Sequence, residues 1–253
     1  FFSNPGNANT KITGGTFSGN TADFGGFLYN RGVGVVSCTG GSVEGNNAVD
    51  GGGVYIVENA TLVWACGLSD NTALTGPGIY ARDGSTAVIR GVTLQDNVAN
   101  TGPVVLIVSS SNLRTYQVVF NDTSGSGDVS AVQVDQQSSY KAEDTSFVGF
   151  AGEAIVYSEG TLYLDDCDFT GSSASVLVFS EGRTPVIRNT ALGNSNYFND
   201  DGVPKGDSLI NTDVTCDGWE GREEAASGGG ANDSDSHASP WSSSRPHPPC
   251  SEG

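Results

Sequence analysis

One short motif recurs along this chain at a nearly fixed interval, and it limits the possible folds more than any other feature. In each copy an apolar residue is followed by a polar position, Asn in the clearest copies, then by a Gly-containing turn and a short apolar run. Successive copies start roughly 25 residues apart, within the range of solenoid repeats. Near-constant spacing with drifting sequence is typical of a solenoid, because each repeat has to match only its neighbours. The copies begin at Phe17, Val43, Leu68, Leu94, Phe120, Phe147 and Phe169.

Short apolar runs within each repeat predict strands rather than helices. Val, Ile, Leu, Phe and Tyr alternate with Gly, Asn and Asp, and no helical stripe is sustained. We therefore predict an all-β fold: a right-handed, single-stranded parallel β-helix of about seven to eight coils with an irregular C-terminal tail. The predicted units are a partial coil or extension at 1–10, the β-helix at 11–200, a terminal coil or cap at 201–221, and a Gly/Ser/Pro-rich tail at 222–253.

Stacking the repeats in register assigns two positions to the interior and one to a polar ladder. The first inward column is Phe17, Val43, Leu68 and Leu94, and the second is Leu28, Val54, Ile79 and Val105. A stacked Asn can pass an amide hydrogen bond to the next coil while it also bonds the turn backbone. The predicted structural asparagine ladder is Asn20, Asn46, Asn71 and Asn97.

The motif resembles a known repeat. The strings FSGN and GGFLY within 17–29, and VEGN and GGVYI within 43–56, are similar to the FxxN and GGA[IV] repeats of the polymorphic outer membrane protein family, part of the wider pectin-lyase-like β-helix group. The resemblance covers about residues 11–180 and is sharpest in the first four coils. It implies a right-handed β-helix whose motif residues build core and turns and carry no catalysis, and its bacterial members are surface adhesins.

The charge balance argues against nucleic-acid partners. There are 29 acidic against 11 basic residues, a formal net charge of -18, whereas nucleic-acid binding needs a basic surface. No apolar run reaches the ~18 residues that a spanning helix needs, so we expect no membrane span. A chain that begins Phe1-Phe2 and has no Met is expected to be processed or part of a longer one.

Five cysteines without a C-x-x-C pair favour disulfides over a zinc site. Cys38 and Cys66 lie in adjacent coils, so a bridge between them is expected. Cys167 has Cys216 as a candidate partner, which would leave Cys250 over; the alternative pairs Cys216 with Cys250. The spacing does not decide between these.

Three sequons, at Asn59, Asn121 and Asn232, are candidate N-glycosylation sites. Together with the spaced cysteines they favour an oxidising, extracellular or cell-surface location with covalent glycans.

Tyr29, Tyr55 and Tyr80 share one repeat position, next to the inward Leu28 and its equivalents. They are therefore predicted to point outward as a ladder that Leu106 continues. The functional interpretation is a surface that binds polysaccharide or another protein, and the structural interpretation is cross-strand aromatic packing that stabilises the sheet.

An enzymatic role has little support in the sequence. The densest acidic cluster is Asp165, Asp166 and Asp168, for which we expect an exposed turn with at most weak Ca²⁺ binding. The histidines, His237 and His247, both lie in the polar tail. We therefore predict no catalytic residues, no cofactor and no enzyme.

The preferred hypothesis is a structural subunit of an extracellular fibre, appendage or cell-wall layer. An open β-helix end exposes unpaired strand edges that need a cover, and a head-to-tail contact between copies supplies one. The expected partners are therefore further copies or other extracellular structural proteins. A carbohydrate-binding adhesin that uses the tyrosine ladder is the alternative, and a polysaccharide lyase or hydrolase is a weaker one.

Overall fold

The computed structural model describes residues 2–123, 129–151, 154–173, 176–180 and 185–191. Every regular element in these residues is a β-strand, and every strand pairing is parallel. The strands stack as a β-solenoid of about seven turns, which confirms the predicted fold class. The predicted cap at 201–221 and tail at 222–253 lie outside the described residues.

Each of the first four coils contains four strands, whereas the later coils contain two or three. The first two coils hold β1 (Phe2–Pro5), β2 (Asn9–Ile12), β3 (Thr16–Ser18), β4 (Thr21–Phe24), β5 (Leu28–Arg31), β6 (Val35–Cys38), β7 (Ser42–Glu44) and β8 (Asn47–Asp50). Coils 3 and 4 hold β9 (Val54–Val57), β10 (Thr61–Trp64), β11 (Gly67–Ser69), β12 (Thr72–Thr75), β13 (Ile79–Ala81), β14 (Thr86–Arg90), β15 (Thr93–Gln95) and β16 (Val98–Ala99). Coils 5 and 6 hold β17 (Val105–Ile107), β18 (Asn112–Tyr116), β19 (Val119–Asn121), β20 (Val132–Val134), β21 (Ser139–Glu143) and β22 (Ser146–Val148). The last strands are β23 (Ala154–Ser158), β24 (Thr161–Asp165), β25 (Val176–Ser180) and β26 (Val186–Arg188).

Equivalent strands of successive coils form four parallel sheets. Sheet A runs from β1 to β25 and sheet B from β2 to β26, with eight strands each. Sheet C contains six strands from β3 to β22, and single bridges through Asp168 and Ala191 extend it. Sheet D contains four strands from β4 to β16 and ends at coil 4. Among the described strands, β1 to β4 therefore pair with a neighbour on one side only.

The predicted inward columns line the interior. Val43, Leu68, Val54 and Ile79 are fully buried, and their Cα atoms are paired in register in sheets C and A. The sheet C column continues as a stack of phenylalanine rings with centroids 5.1 and 4.5 Å apart. Because apolar burial is worth about 25 cal/mol per Å², these columns stabilise the stacking of the coils. The residues of the phenylalanine stack are Phe120, Phe147 and Phe169.

The asparagine ladder follows the corner between sheets C and D. Side-chain Nδ2 groups donate to the Oδ1 of the next ladder residue at 2.7, 2.9 and 2.9 Å. Each Oδ1 that accepts such a bond also accepts from the backbone N–H of the preceding ladder residue, as Asn71 does from Asn46 at 3.1 Å. A second Nδ2 bond reaches a carbonyl of the preceding coil, as from Asn71 to Val43 at 3.0 Å. The ladder thus satisfies buried main-chain groups where the strands turn.

Glycine at the next corner is required by space and by backbone conformation. Gly51 has a φ of 67°, in the region that other residues adopt at a cost. A Cβ on Gly26 would lie 2.2 Å from the carbonyl oxygen of Gly52 in the coil above. The repeated Gly of the motif therefore allows successive corners to approach closely.

Polar groups inside the solenoid other than the asparagine ladder were not predicted, among them a serine column and a cluster around Thr115. Ser111 Oγ accepts from the Ser85 N–H, and Ser138 Oγ accepts from the Ser111 N–H, both at 3.1 Å. Thr115 Oγ1 lies 3.0 Å from the hydroxyl of Tyr140 and 3.1 Å from that of Thr145. These groups satisfy each other inside the core, as buried polar groups must.

The asparagine ladder gives a stability prediction with a control one residue away. Asn46→Ala removes a side chain that is 1% exposed and bonded to two neighbouring coils, so its free energy of unfolding should fall by about 3 kcal/mol. Asn47→Ala, on an exposed strand position, should change that energy by less than ~0.5 kcal/mol. Urea denaturation of both variants measures the difference. Equal losses would show that the ladder contributes nothing beyond the strand itself.

Candidate functional site

The tyrosine ladder lies on the outer face of sheet A. Parallel pairing places Tyr29 opposite Tyr55 and Tyr55 opposite Tyr80. The Tyr29 and Tyr55 rings are stacked, with centroids 5.6 Å apart and planes inclined by 19°. The Tyr55 and Tyr80 rings are 5.1 Å apart and nearly perpendicular, at 75°. Stacked and edge-to-face pairs at these distances are both favourable arrangements of aromatic rings.

The central tyrosine of the ladder is less exposed than the prediction of an outward-facing ladder implies. Tyr55 is only 4% exposed, although it points away from the solenoid interior. Phe24 covers it from the adjoining corner, with ring centroids 5.1 Å apart, and is itself 46% exposed. Phe24 was not predicted from the sequence, because a repeat period assigns columns within a sheet but not contacts across a corner. We call Phe24, Tyr29, Tyr55 and Tyr80 the aromatic surface.

Sheet D also carries exposed apolar side chains, and charged side chains lie beside the aromatic surface. Val49 and Leu74, on sheet D, are 49% and 45% exposed. On sheet A, burial raises the pKa of Tyr55, and a hydrogen bond with Arg82 opposes that rise. Arg82 also contacts the Asp83 carboxylate at 3.0 Å. The surface therefore combines exposed rings with a fixed cation and with hydrogen-bonding groups.

Cys38 and Cys66 form a disulfide inside the solenoid, with Cα atoms 5.8 Å apart. Trp64 pairs with Cys38, and Leu68 pairs with Val43. Coil 3 therefore has one residue fewer than coil 2 in the segment that connects its sheet B strand to its sheet C strand. The two cysteines lie at this shortened corner, so the bridge joins coils 2 and 3.

Cys167 is a buried thiol without a disulfide partner among the described residues. Burial raises its pKa from 9.0 to about 12, so the thiol is neutral and poorly nucleophilic at ordinary pH. Its candidate partners, Cys216 and Cys250, lie outside the described residues.

The acidic cluster of Asp165, Asp166 and Asp168 follows β24 on the surface. Asp165 accepts hydrogen bonds from the Tyr163 hydroxyl and from Asn189 Nδ2, each at 3.0 Å. Among the described residues, no three His, Cys, Asp or Glu side chains converge to hold a metal ion. In the same part of the chain, no helix has the length and apolar character needed to cross a membrane.

Comparison of the chain with protein-family models, with curated proteins and with solved structures finds no match. The geometry of the chain itself therefore carries the functional argument.

The three sequons have different surroundings. Asn59 is exposed on the turn between β9 and β10, where its φ is 65°. Asn121 lies in β19, and its Oδ1 is buried with no hydrogen-bond partner in the described part of the chain. Asn232 lies outside the described residues. A glycan is attached to the side-chain Nδ2 and needs solvent around it, so the exposed Asn59 is favoured over the half-buried Asn121.

We predict that secretion from a eukaryotic host yields a glycan on Asn59 and none on Asn121. Asn59→Gln should remove a mobility shift that N-glycosidase also removes, whereas Asn121→Gln should leave it unchanged. Intact mass measurement and gel mobility before and after glycosidase treatment test this. A bare Asn59, or a glycan on Asn121, would contradict the assignment.

Proposed function

We propose that the chain is an extracellular structural glycoprotein, a subunit of a surface fibre, appendage or cell-wall layer. The observation that carries the proposal is the continuous parallel stack, in which sheets A and B run through eight strands each. Successive coils are joined by in-register strands, by the asparagine ladder and, between coils 2 and 3, by a disulfide. Such a stack is suited to bearing load along its axis, because each coil is bonded to the next through several sheets.

The chemistry of coils 2 and 3 supports an extracellular location. The Cys38–Cys66 disulfide is of a kind that persists in oxidising compartments. The exposed Asn59 is in the same part of the solenoid. A glycan there would extend from the corner between sheets A and B and would leave sheets C and D uncovered.

Contacts between subunits are proposed at an end of the solenoid. Among the described residues, β1 to β4 form the outermost coil on this side, and residues of β1, β2 and β3 line an open cavity of about 640 Å³. Phe2, Ile12 and Phe17 line this cavity and pack on the core as partly buried residues. A further coil placed on this end would continue all four sheets and bury those side chains.

We further propose that the coils belong to the polymorphic outer membrane protein type of repeat. Phe17 and Asn20 of the FSGN string occupy the inward column and the ladder, and Gly25 and Gly26 occupy the close-packed corner. The motif positions thus have distinct architectural roles, as expected for residues that build coils. The assignment is supported by these positions alone.

Strand-edge assembly predicts a specific effect of proline in β3. The Ser42 N–H donates to the Gly15 carbonyl at 2.9 Å, so the next residue, Thr16, directs its own N–H away from coil 2. Thr16→Pro removes that outward donor and should abolish filaments while the monomer stays folded. Electron microscopy and sedimentation over a concentration series measure assembly, and circular dichroism checks the fold. A wild-type chain that remains monomeric throughout, or a Thr16→Pro variant that assembles normally, would refute end-to-end assembly.

A carbohydrate-binding adhesin is the second candidate, and the aromatic surface favours it. Phe24, Tyr29 and Tyr80 present ring faces and edges beside Arg82, a combination suited to the apolar faces and hydroxyls of sugars.

Phe24→Ala should weaken polysaccharide binding at least ~tenfold. Tyr116→Ala, which removes an equally exposed tyrosine from sheet B, should have no effect. Sedimentation with insoluble polysaccharides and glycan arrays test this, and unchanged binding by Phe24→Ala would exclude the surface.

A further inference from the structure

We propose that Tyr29 and Tyr55 are a site of oxidative cross-linking, at which a carbon–carbon bond between the two phenol rings joins coil 2 to coil 3. The inference rests on the packing of sheet A and does not depend on the assembly or carbohydrate binding proposed above. It assigns a covalent modification to the centre of the aromatic surface.

The backbone holds the two rings together without a further partner. Strands β5 and β9 pair in parallel, with Tyr29 directly opposite Tyr55. The ring centroids are 5.6 Å apart, so ortho carbons approach bonding distance through side-chain rotation alone. The residues that precede the two tyrosines, Leu28 and Val54, are fully buried in the core. The main chain is therefore fixed, and the phenols are the movable part.

Ring orientation selects this pair over the neighbouring one. A phenoxyl radical carries its unpaired electron in π orbitals on oxygen and on the ortho and para carbons, with lobes perpendicular to the ring. Coupling therefore begins with two rings face to face. Tyr29 and Tyr55 are inclined by 19°, which allows ortho lobes to overlap. Tyr55 and Tyr80 are inclined by 75°, so the ortho lobes of one ring point across the edge of the other.

Burial restricts the coupling of Tyr55 to its own chain. Tyr55 is 4% exposed and lies under Phe24, whose ring centroid is 5.1 Å away. No second molecule can place a phenol against it in this arrangement. Tyr29 is only half-buried, so an external oxidant can reach it. Oxidation enters at Tyr29 and extends to Tyr55 across the ring stack.

The reaction needs a peroxide and a one-electron oxidant such as a haem peroxidase. Each tyrosine loses its phenolic hydrogen as one electron and one proton. The two radicals join at their ortho carbons, and the two ring hydrogens displaced there return to the phenol oxygens by tautomerisation. The peroxide accepts two electrons and two protons and becomes two molecules of water. The protein loses two hydrogen atoms in total and gains one carbon–carbon bond.

The consequence is a second covalent link between coils that the Cys38–Cys66 disulfide already joins from inside. Tyr29 and Tyr55 lie one full coil apart along the chain, so a link between them closes a loop and restricts the unfolded chain as a disulfide does. Unlike the disulfide, it is not reversed by thiols. The cross-linked protein should therefore keep a raised melting temperature after reduction.

The test is treatment of the purified full chain with hydrogen peroxide and a haem peroxidase, followed by reduction and digestion. Trypsin together with a Glu-specific protease places Tyr29, Tyr55 and Tyr80 in separate peptides, 12–31, 45–58 and 59–82. The expected product is peptide 12–31 joined to 45–58 with the loss of two hydrogen atoms, from protein that remains monomeric. The characteristic fluorescence of coupled phenols should rise in parallel.

Three conservative variants make the result specific. Tyr29→Phe should lose the joined peptide, whereas Tyr80→Phe should retain it. Tyr116→Phe should also retain it, because Tyr116 pairs with Arg90 and Glu143 rather than with another phenol. Exposed Tyr116 should instead account for links between molecules. Folded wild-type protein that yields only intermolecular links, or a 45–58 to 59–82 pair in place of the expected one, would overturn the proposal.

Discussion

Parallel stacking in one register is the constraint on which the rest of this solenoid depends. Within the sheets, main-chain groups bond to the neighbouring coils, so residues of equal position must lie above one another. At the corners the strands separate, and backbone donors lose those partners. Asn46 shows the solution, since its N–H donates to the Asn71 side chain at 3.1 Å. Buried donors left unpaired would cost about 1–3 kcal/mol each, so the fold needs the asparagine ladder in addition to the apolar columns.

The same requirement is met by a serine in one later coil, beyond the point where sheet D ends. Ser172 donates to the Phe147 carbonyl at 2.9 Å and accepts from the Phe150 N–H at 3.2 Å. A hydroxyl thus serves the two kinds of main-chain group that a ladder asparagine serves. The column of Ser85, Ser111 and Ser138 supplies hydroxyl acceptors to backbone N–H groups at another corner. At Ser172, therefore, the hydrogen-bonding role of the corner position is kept although the residue type has changed.

Some features are fixed by the spacing of the repeat, whereas others depend on contacts across a corner. Only the features of the first kind could be predicted from the sequence. The apolar columns, the asparagine ladder and the parallel sheets follow from spacing, because the motif recurs at a nearly constant interval in the first four coils. Spacing does not determine which side chains meet across a corner. Phe24 covers Tyr55 through such a contact, and the buried Oδ1 of Asn121 likewise depends on packing outside its own strand. The serine column and the threonine cluster were not predicted, because short hydroxyl residues are equally common in exposed turns.

Side chains inside a coil must pack against both neighbouring coils. Side chains on the outer face meet those coils only through cross-strand contacts. Functional chemistry is therefore expected on the outer face, and its concentration around coils 2 and 3 is informative. The disulfide fixes these coils from within, the exposed Asn59 lies at one corner, and the Tyr29–Tyr55 stack lies on sheet A. A rigid main chain keeps those phenols next to each other, as either proposed role requires. Coupling would consume the stacked pair but leave Phe24 exposed, so carbohydrate binding and cross-linking at this surface are compatible in one molecule and separable by substitution.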